Sequence, residues 1–391
     1  MNTKLKIDSL AYQGYGVGRA EGKVWFVPFT HPGDSIEARP VKEQKNFVHG
    51  TIAKILEPSP DRIEPKCPHF GKCGGCDWQM AKYKTQLQAK KTILEETLKR
   101  SGFELSEPLE VREAPAKWGY RNRIQLRLNE KGLPGFYKAG TREIIPIDYC
   151  PLAEEDMNGK LNSLFKQAVK KSDTLKSKYP GGFELRMNKA GRTDIRTLGG
   201  KFEDLSDFSQ VNTRVNQILR KEVEICLDEI TEGKTDFKVL DLYCGDGNLT
   251  LPLAERCRSI DGWDGSRQAV IRGNKSAAEF MKGGSKGDIE TDLQVKYRAG
   301  FIEKCKKEIT SVAEKADLLI LDPPRRGIKG LEEFIGKLGI TDILYISCSP
   351  PSLGRDLKNL KEYGYTLEKT VLLDMFPQTY HMETLVRLKK G

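Results

Sequence analysis

The sequence predicts a multidomain chain: a small β-barrel at residues 1–58, a central mostly β domain with a cysteine cluster at 59–205, and an α/β domain on a parallel sheet at 206–391. Three observations carry this. Up to Pro58, short apolar and aromatic runs are punctuated by glycines and a Pro-Gly turn, as short strands with tight connections are. Three cysteines stand close together between Cys67 and Cys76. From about residue 206, short apolar runs alternate with helical segments, the signature of a parallel sheet covered on both faces.

Within the first region Lys23 to Phe29 is a strand, set between Gly14, Gly16 and Gly18 on one side and Pro32-Gly33 on the other. Pro58 and Pro60 mark its end. Tyr83 to Lys99 places apolar and basic residues at helical spacing, and residues 118–150 return to strand-like patterning. In the last region Lys238 to Tyr243, Ser259 to Trp263, Asp317 to Leu321 and Ile343 to Ser347 read as strands. Each runs into a loop rich in Gly, Pro or Asp, where ligands of open α/β sheets bind. Lys282 to Gly287 reads as an exposed loop, and no internal repeat is present.

A chain of 391 residues that is 38% hydrophobic supports ordinary buried cores. No stretch reaches the ~18 apolar residues of a membrane span, and Met1 to Ala20 lacks the basic end and apolar block of a secretory signal, so the expectation is a cytoplasmic protein without membrane contact. Monomer is the default. Residues 1–150 hold 25 Lys and Arg against 18 Asp and Glu, which places +7 of the total +10 there. Such an excess suits a polyanion such as nucleic acid.

Nine cysteines, an odd count in a chain without a secretion signal, point to free thiols, metal ligands or catalysis before disulfides. Cys67, Cys73 and Cys76 lie in CPHFGKCGGC, where Gly74-Gly75 lets the backbone fold tightly around a ligand, and Cys150 in DYCPL offers a fourth thiolate. Four thiolates fit a [4Fe–4S] cluster or tetrahedral zinc, and the spacing does not separate the two.

In VLDLYCGDGNLT, Val239 to Thr250, a hydrophobic strand ends in an acidic, glycine-rich turn. The turn lacks both the full GxGxxG spacing and a phosphate-loop lysine, so an acidic pocket for a cationic cofactor fits better than a dinucleotide or nucleoside triphosphate. Asp264, about 20 residues on at the end of the next strand, is placed to accept hydrogen bonds from ribose hydroxyls. LDPPRRG and YISCSPPSLGRDL put Asp322 and Cys348 at the ends of two further strands, so both should face one crevice. Glu383, in DMFPQTYHMETL, is a candidate general base, with His381 a weaker one.

Together these motifs resemble the RNA uridine-5-methyltransferase family, in particular its iron–sulfur members that modify 23S ribosomal RNA. Residues 1–58 resemble the TRAM domain, an OB-like RNA-binding barrel, and CPHFGKCGGCDWQ with Cys150 resembles the family's [4Fe–4S] ligand set. FSQVN at 208–212, DLYCGDGN at 241–248, DPPRRG at 322–327, SCSPPSLGRD at 347–356 and DMFPQTYHMET at 374–384 resemble its catalytic motifs, in order.

The resemblance implies a Rossmann-like class I methyltransferase domain that uses S-adenosylmethionine, with Cys348 as nucleophile and Glu383 as base. Gln210 and Asp322 would contact uracil or cofactor, and Tyr243, Gly245 and Asp264 would line the cofactor pocket. Iron–sulfur is favoured over zinc on the same ground. Two departures stand out: Ser349 where the family usually has Asn, and Asp264 where Glu is usual. The uridine of a transfer RNA T-loop is an alternative substrate to 23S ribosomal RNA, and a noncatalytic RNA-binding assembly factor is the reading of a different class.

Overall fold

Side chains that alternate between inside and outside close the N-terminal strands into a barrel. In the computed structural model, which describes residues 2–105, 107–188, 190–198, 210–234, 236–283 and 293–391, β1 (Thr3–Leu10), β2 (Tyr15–Ala20), β3 (Lys23–Pro28), β4 (Ser35–Glu43) and β5 (Phe47–Glu57) form a closed barrel in the order β1-β2-β3-β5-β4. Leu5, Ile7, Trp25, Val27, Ile36, Ala38 and Val48 fill it. Gly16 and Gly18 are needed where β2 crosses β1, because a Cβ at Gly18 would stand 2.4 Å from the Lys6 carbonyl oxygen.

The next region departs from the mostly β expectation. Three helices of 18, 16 and 7 residues, α1 (Tyr83–Arg100), α2 (Glu155–Lys170) and α3 (Ser172–Lys178), outweigh its short strands. Of those strands β6 (Glu110–Arg112) stands apart from the others. A five-stranded sheet is built from β7 (Arg123–Leu128), β8 (Pro134–Tyr137), β9 (Ile144–Pro146), β10 (Phe183–Met187) and β11 (Thr193–Thr197), in the order β11-β10-β7-β8-β9. Met157, Leu161, Leu164 and Ala168, at helical spacing on α2, pack it from one side.

After α4 (Thr213–Thr231), capped by the Asn212 side chain accepting from Val215 N at 3.3 Å, the chain enters an eight-stranded sheet. Its strands are β12 (Lys238–Leu242), β13 (Ser259–Asp264), β14 (Gln294–Ala299), β15 (Leu318–Leu321), β16 (Asp342–Ser347), β17 (Tyr365–Leu373) and β18 (Glu383–Lys390), joined by β6 in the order β14-β13-β12-β15-β16-β18-β17-β6. The interleaved helices are α5 (Arg267–Gly283), α6 (Lys306–Ala313), α7 (Glu332–Leu338) and α8 (Pro350–Lys361). All four strands expected from the sequence are present within a residue at each end. The boundary near residue 205 and most of the Lys282–Gly287 loop lie outside the described residues.

Two features position the site. The order reverses between β12 and β15, so a crevice opens beyond their C-terminal ends. β18 runs antiparallel to β16, with Ser347 opposite Thr384, which brings the start of β18 to the end of β16. Strand β6 pairs with β17, so a piece of the 59–205 region completes the C-terminal sheet. Among the described residues no helix is long and apolar enough to cross a membrane.

Candidate active site

Tyr243 follows β12 with φ of 67°, a left-handed conformation costly for an aromatic residue and concentrated where structure serves a site. The turn then runs through Gly245 at φ 56°, where an added Cβ would meet nothing within 4 Å, so the backbone borders open space a ligand can enter. The Asp264 carboxylate accepts from Gly245 N at 3.0 Å through Oδ2 and from Ser266 N at 2.6 Å through Oδ1. It therefore braces both turns. Each oxygen keeps a second lone pair for the ribose contact expected from the sequence.

Asp241 lies buried beneath the turn, its Oδ2 accepting from Thr250 Oγ1 at 2.7 Å. Burial pushes its carboxyl up to about 7, with the Thr250 hydrogen bond opposing and repulsion from Asp322 and Asp264 adding. Asp322 is likewise pushed up to about 7 by burial and by Asp264. Three carboxylates thus face one another at the switch point, an arrangement relieved by a cation. Asp241 was in view as part of a motif, but its depth beneath the turn was not.

Cys348 follows β16, and Glu383, 3% exposed, opens β18 beside it. Burial pushes the Cys348 thiol up to about 12; Glu383 and Asp322 add to this, and the Arg325 guanidinium opposes it. Burial likewise raises Glu383 well above the usual carboxylate range, with Asp322 adding and Arg325 again opposing. Arg325 is thus a cation that acts electrostatically on both groups, a role that its place in LDPPRRG did not reveal. Arg355 braces that loop, its Nη2 donating to the Arg326 carbonyl at 2.6 Å. Burial drops the His381 imidazole to about 3, which makes it a weak base.

A consequence can be measured on the unliganded protein. Only thiolate is alkylated, so iodoacetamide modification of the Cys348 peptide, read by mass spectrometry, should be slow at neutral pH. It should rise about tenfold per pH unit toward pH 11. Arg325→Ala should slow it further at each pH, and rapid modification at pH 7 would contradict the raised thiol.

The β17–β18 loop that leads to Glu383 is tied down on all sides. Lys90 Nζ donates to Asp374 Oδ1 at 2.6 Å, both side chains being fully buried, and to the Phe376 carbonyl at 3.1 Å. Asn212 Nδ2 donates to the Met375 carbonyl at 3.1 Å and Tyr120 Oη to the Pro377 carbonyl at 3.0 Å. Gln86 and Gln378 exchange two hydrogen bonds, with Gln378 at φ 71°. None of these anchors carried a signal in the sequence. Gln210 lies on the strip beside Asn212, where its carbonyl accepts from Asn122 Nδ2 at 3.0 Å; Phe208 and Ser209 of the same motif lie outside the described residues.

Cys67, Cys73, Cys76 and Cys150 all line one cavity of about 230 Å³, together with Gln79 and Arg121. Gln79 Nε2 and Arg121 Nε are buried there without hydrogen-bond partners, two donors suited to an anionic occupant. Among the described residues no three His, Cys, Asp or Glu side chains are gathered closely enough to share one metal ion.

A mainly parallel sheet with an acidic turn at its switch point, a cysteine and a carboxylate at adjoining strand ends, and an N-terminal barrel fit the class of S-adenosylmethionine-dependent RNA methyltransferases. Residues 301–391 match the family model for tRNA (uracil-5-)-methyltransferase, and residues 3–60 match that for the TRAM domain of tRNA (uracil(54)-C(5))-methyltransferase. The chain is 31% identical to an uncharacterized RNA methyltransferase of Aquifex aeolicus, covering 99% of this chain and 98% of that protein. It is 30% identical to the 23S rRNA (uracil(1939)-C(5))-methyltransferase RlmD of Haemophilus parainfluenzae, over 97% of this chain and 94% of that one. The crystal structure of Pyrococcus abyssi tRNA (uracil-54, C5)-methyltransferase with S-adenosyl-L-homocysteine shares the fold, with a TM-score of 0.67 over 99% of this chain and 100% of that chain at 24% identity. The chain belongs to the RNA uracil-C5-methyltransferase family and is an S-adenosylmethionine-dependent enzyme.

Proposed function

We propose that this enzyme methylates C5 of a uridine in 23S ribosomal RNA, with Cys348 as nucleophile and Glu383 as base. The observation that carries the chemistry is the antiparallel pairing that sets Glu383 beside the end of β16, next to the three-carboxylate crevice. C5 of uracil is too weak a nucleophile to take a methyl group directly. Cys348, once its proton is lost to solvent, adds through Sγ to C6, and the C5–C6 π electrons move onto C5 and the adjoining carbonyl as an enolate. Asp264, Gly245 and Asp322 would hold the S-adenosylmethionine, which would supply an electrophilic methyl group for C5 to take while the donor sulfur keeps the bonding pair. Glu383 then takes the C5 proton, the C5–C6 double bond reforms, and Sγ departs from C6. A carboxylate raised by burial is the stronger base for a carbon-bound proton, which favours Glu383 over the depressed His381.

The four-thiol cavity is assigned to a [4Fe–4S] cluster held by Cys67, Cys73, Cys76 and Cys150. Its volume of about 230 Å³ is several times the ~30 Å³ share of one water molecule. The cluster's part is structural or in positioning the RNA.

Support for the ribosomal substrate comes from relatives named for 23S ribosomal RNA that match along 94% of their length. The test is mass spectrometry of nucleosides from 23S ribosomal RNA and transfer RNA after incubation with anaerobically purified protein and S-adenosylmethionine. 5-Methyluridine in ribosomal RNA alone is expected. Product in transfer RNA alone would move the substrate to the T-loop uridine, and product in neither would favour a noncatalytic assembly factor. The same preparation should contain about four irons and four labile sulfides per chain.

A further inference from the structure

Two of the motifs singled out in the sequence end in an asparagine to which the chemistry assigns no step, Asn212 in FSQVN and Asn248 in DLYCGDGN. Asn248 closes the turn that borders the cofactor space, a turn bent by left-handed φ angles at Tyr243, Gly245 and Gly247. Its carboxamide faces that of Asn216 on α4, and the two exchange a pair of hydrogen bonds. Asn216 Nδ2 donates to Asn248 Oδ1 at 2.9 Å, and Asn248 Nδ2 donates to Asn216 Oδ1 at 3.0 Å. Each side chain offers both a donor and an acceptor, so neither can turn without losing both bonds.

Asn216 stands one helical turn after Asn212, and its backbone N donates to the Asn212 carbonyl at 2.9 Å. The Asn212 carboxamide is used at both ends: Oδ1 caps α4 at Val215 N, while Nδ2 holds the Met375 carbonyl at 3.1 Å on the loop that leads to Glu383. Apolar packing follows the same line. Val215 and Leu219 of α4, Leu249 beside Asn248, and Met375 belong to one buried cluster. The strip before the helix is clamped from the central region by Asn122, whose N donates to the Val211 carbonyl at 2.9 Å and whose Nδ2 donates to the Gln210 carbonyl at 3.0 Å. The first turn of α4 is therefore a short strut, bonded to the cofactor turn at one end and to the loop of Glu383 at the other.

We propose that Asn212, Asn216 and Asn248 are positioning residues that couple the two halves of the site: a ligand in the cofactor pocket fixes the cofactor turn, and the strut passes that restraint to the loop that delivers Glu383. The proposal rests on the reading of Gly245 and Asp264 as cofactor-pocket residues and of Glu383 as base, and adds the connection between them. The route is rigidity. A ligand that orders the turn reduces the entropy still to be lost by whatever is bonded to it, and by linkage a loop held in place favours the ligand by the same factor. The loop then opens least when the methyl donor is bound.

The test is hydrogen exchange read by mass spectrometry on the full-length protein, with and without saturating S-adenosylhomocysteine, whose binding is followed by calorimetry. The Asp374 and Gln378 amides are hydrogen-bonded, so exchange across residues 374–382 reports opening of the loop. Coupling between sites is typically about 5- to 150-fold, so these peptides should exchange at least about fivefold more slowly with the ligand bound. Asn216→Ala removes the amide pair at a position where alanine favours the helix, and Asn212→Ser keeps a capping oxygen but loses the donor to Met375. Both variants should bind S-adenosylhomocysteine and lose the slowing, while Asn216→Asp, which still accepts from Asn248 Nδ2, should keep most of it. A purely structural role would speed exchange equally in both states and leave the ratio unchanged. That result, or binding by the native protein without any slowing, would overturn the coupling alone. No binding by the native protein would overturn the cofactor-pocket reading and the coupling with it. The readout does not use methyl transfer, so absence of 5-methyluridine would count against the uridine chemistry and leave the coupling to its own result.

Discussion

Cys348→Ala should abolish methyl transfer, by on the order of 10⁴-fold or more, and Glu383→Gln should stop the enzyme one step later with RNA bound to it covalently. The first magnitude is that of removing the nucleophile from a catalytic unit whose members act together. The alanine variant keeps Asp264, Gly245 and Asp322, so S-adenosylmethionine should bind with unchanged affinity by calorimetry. Glu383→Gln leaves Sγ able to attack C6 and C5 able to take the methyl group, but it removes the acceptor for the C5 proton. That step should slow by about 10²- to 10⁴-fold. A denaturation-resistant RNA–protein adduct with the mass of the methylated nucleotide should then accumulate. An alanine variant that turns over normally would remove Cys348 from the reaction, and a glutamine variant that turns over without adduct would hand the proton to another group.

Lys90→Met should destabilise the fold by about 3–5 kcal/mol in urea denaturation, the cost of leaving one buried charge without its partner. Lys90 and Asp374 are both fully buried, and the ammonium also holds the Phe376 carbonyl, so its loss frees the loop that delivers Glu383. Burial lowers the Lys90 ammonium below its usual range, with Asp374 opposing, so the pair is retained against its desolvation. Lys90→Met combined with Asp374→Leu, which replaces both charges with apolar volume, should recover most of the lost stability while activity stays low. A single variant within about 0.5 kcal/mol of the native protein would show that the loop does not depend on this pair.

Much of the molecule was legible because its signals are local. A glycine-rich acidic turn after an apolar run announces a ligand loop wherever it folds, and a polar residue at the end of a parallel strand announces a crevice. The barrel was readable from glycine punctuation, and the cysteine trio from its spacing, while only the fold shows that Cys150 lines the same cavity. Less of the central region was readable: helical spacing marked α1, but α2 and α3 carry more of the region than the strand-like stretch at 118–150 suggested. The sites that sequence could not supply are non-local: Lys90 meets Asp374 across 284 positions and Gln86 meets Gln378 across 292, and nothing in either neighbourhood marks the partner.

By itself, then, the sequence supplied the candidate residues and the class of cofactor, because thiol, carboxylate and glycine turn carry their reactivity and geometry with them. Tertiary structure decided which of them act together. The reversal of β18 brings Glu383 beside the end of the strand that leads to Cys348, Arg325 acts electrostatically on both, and the His381 imidazole is lowered to about 3, which makes it a weak base. Burial and strand direction set those relations, and both are properties of the folded chain rather than of any segment of it.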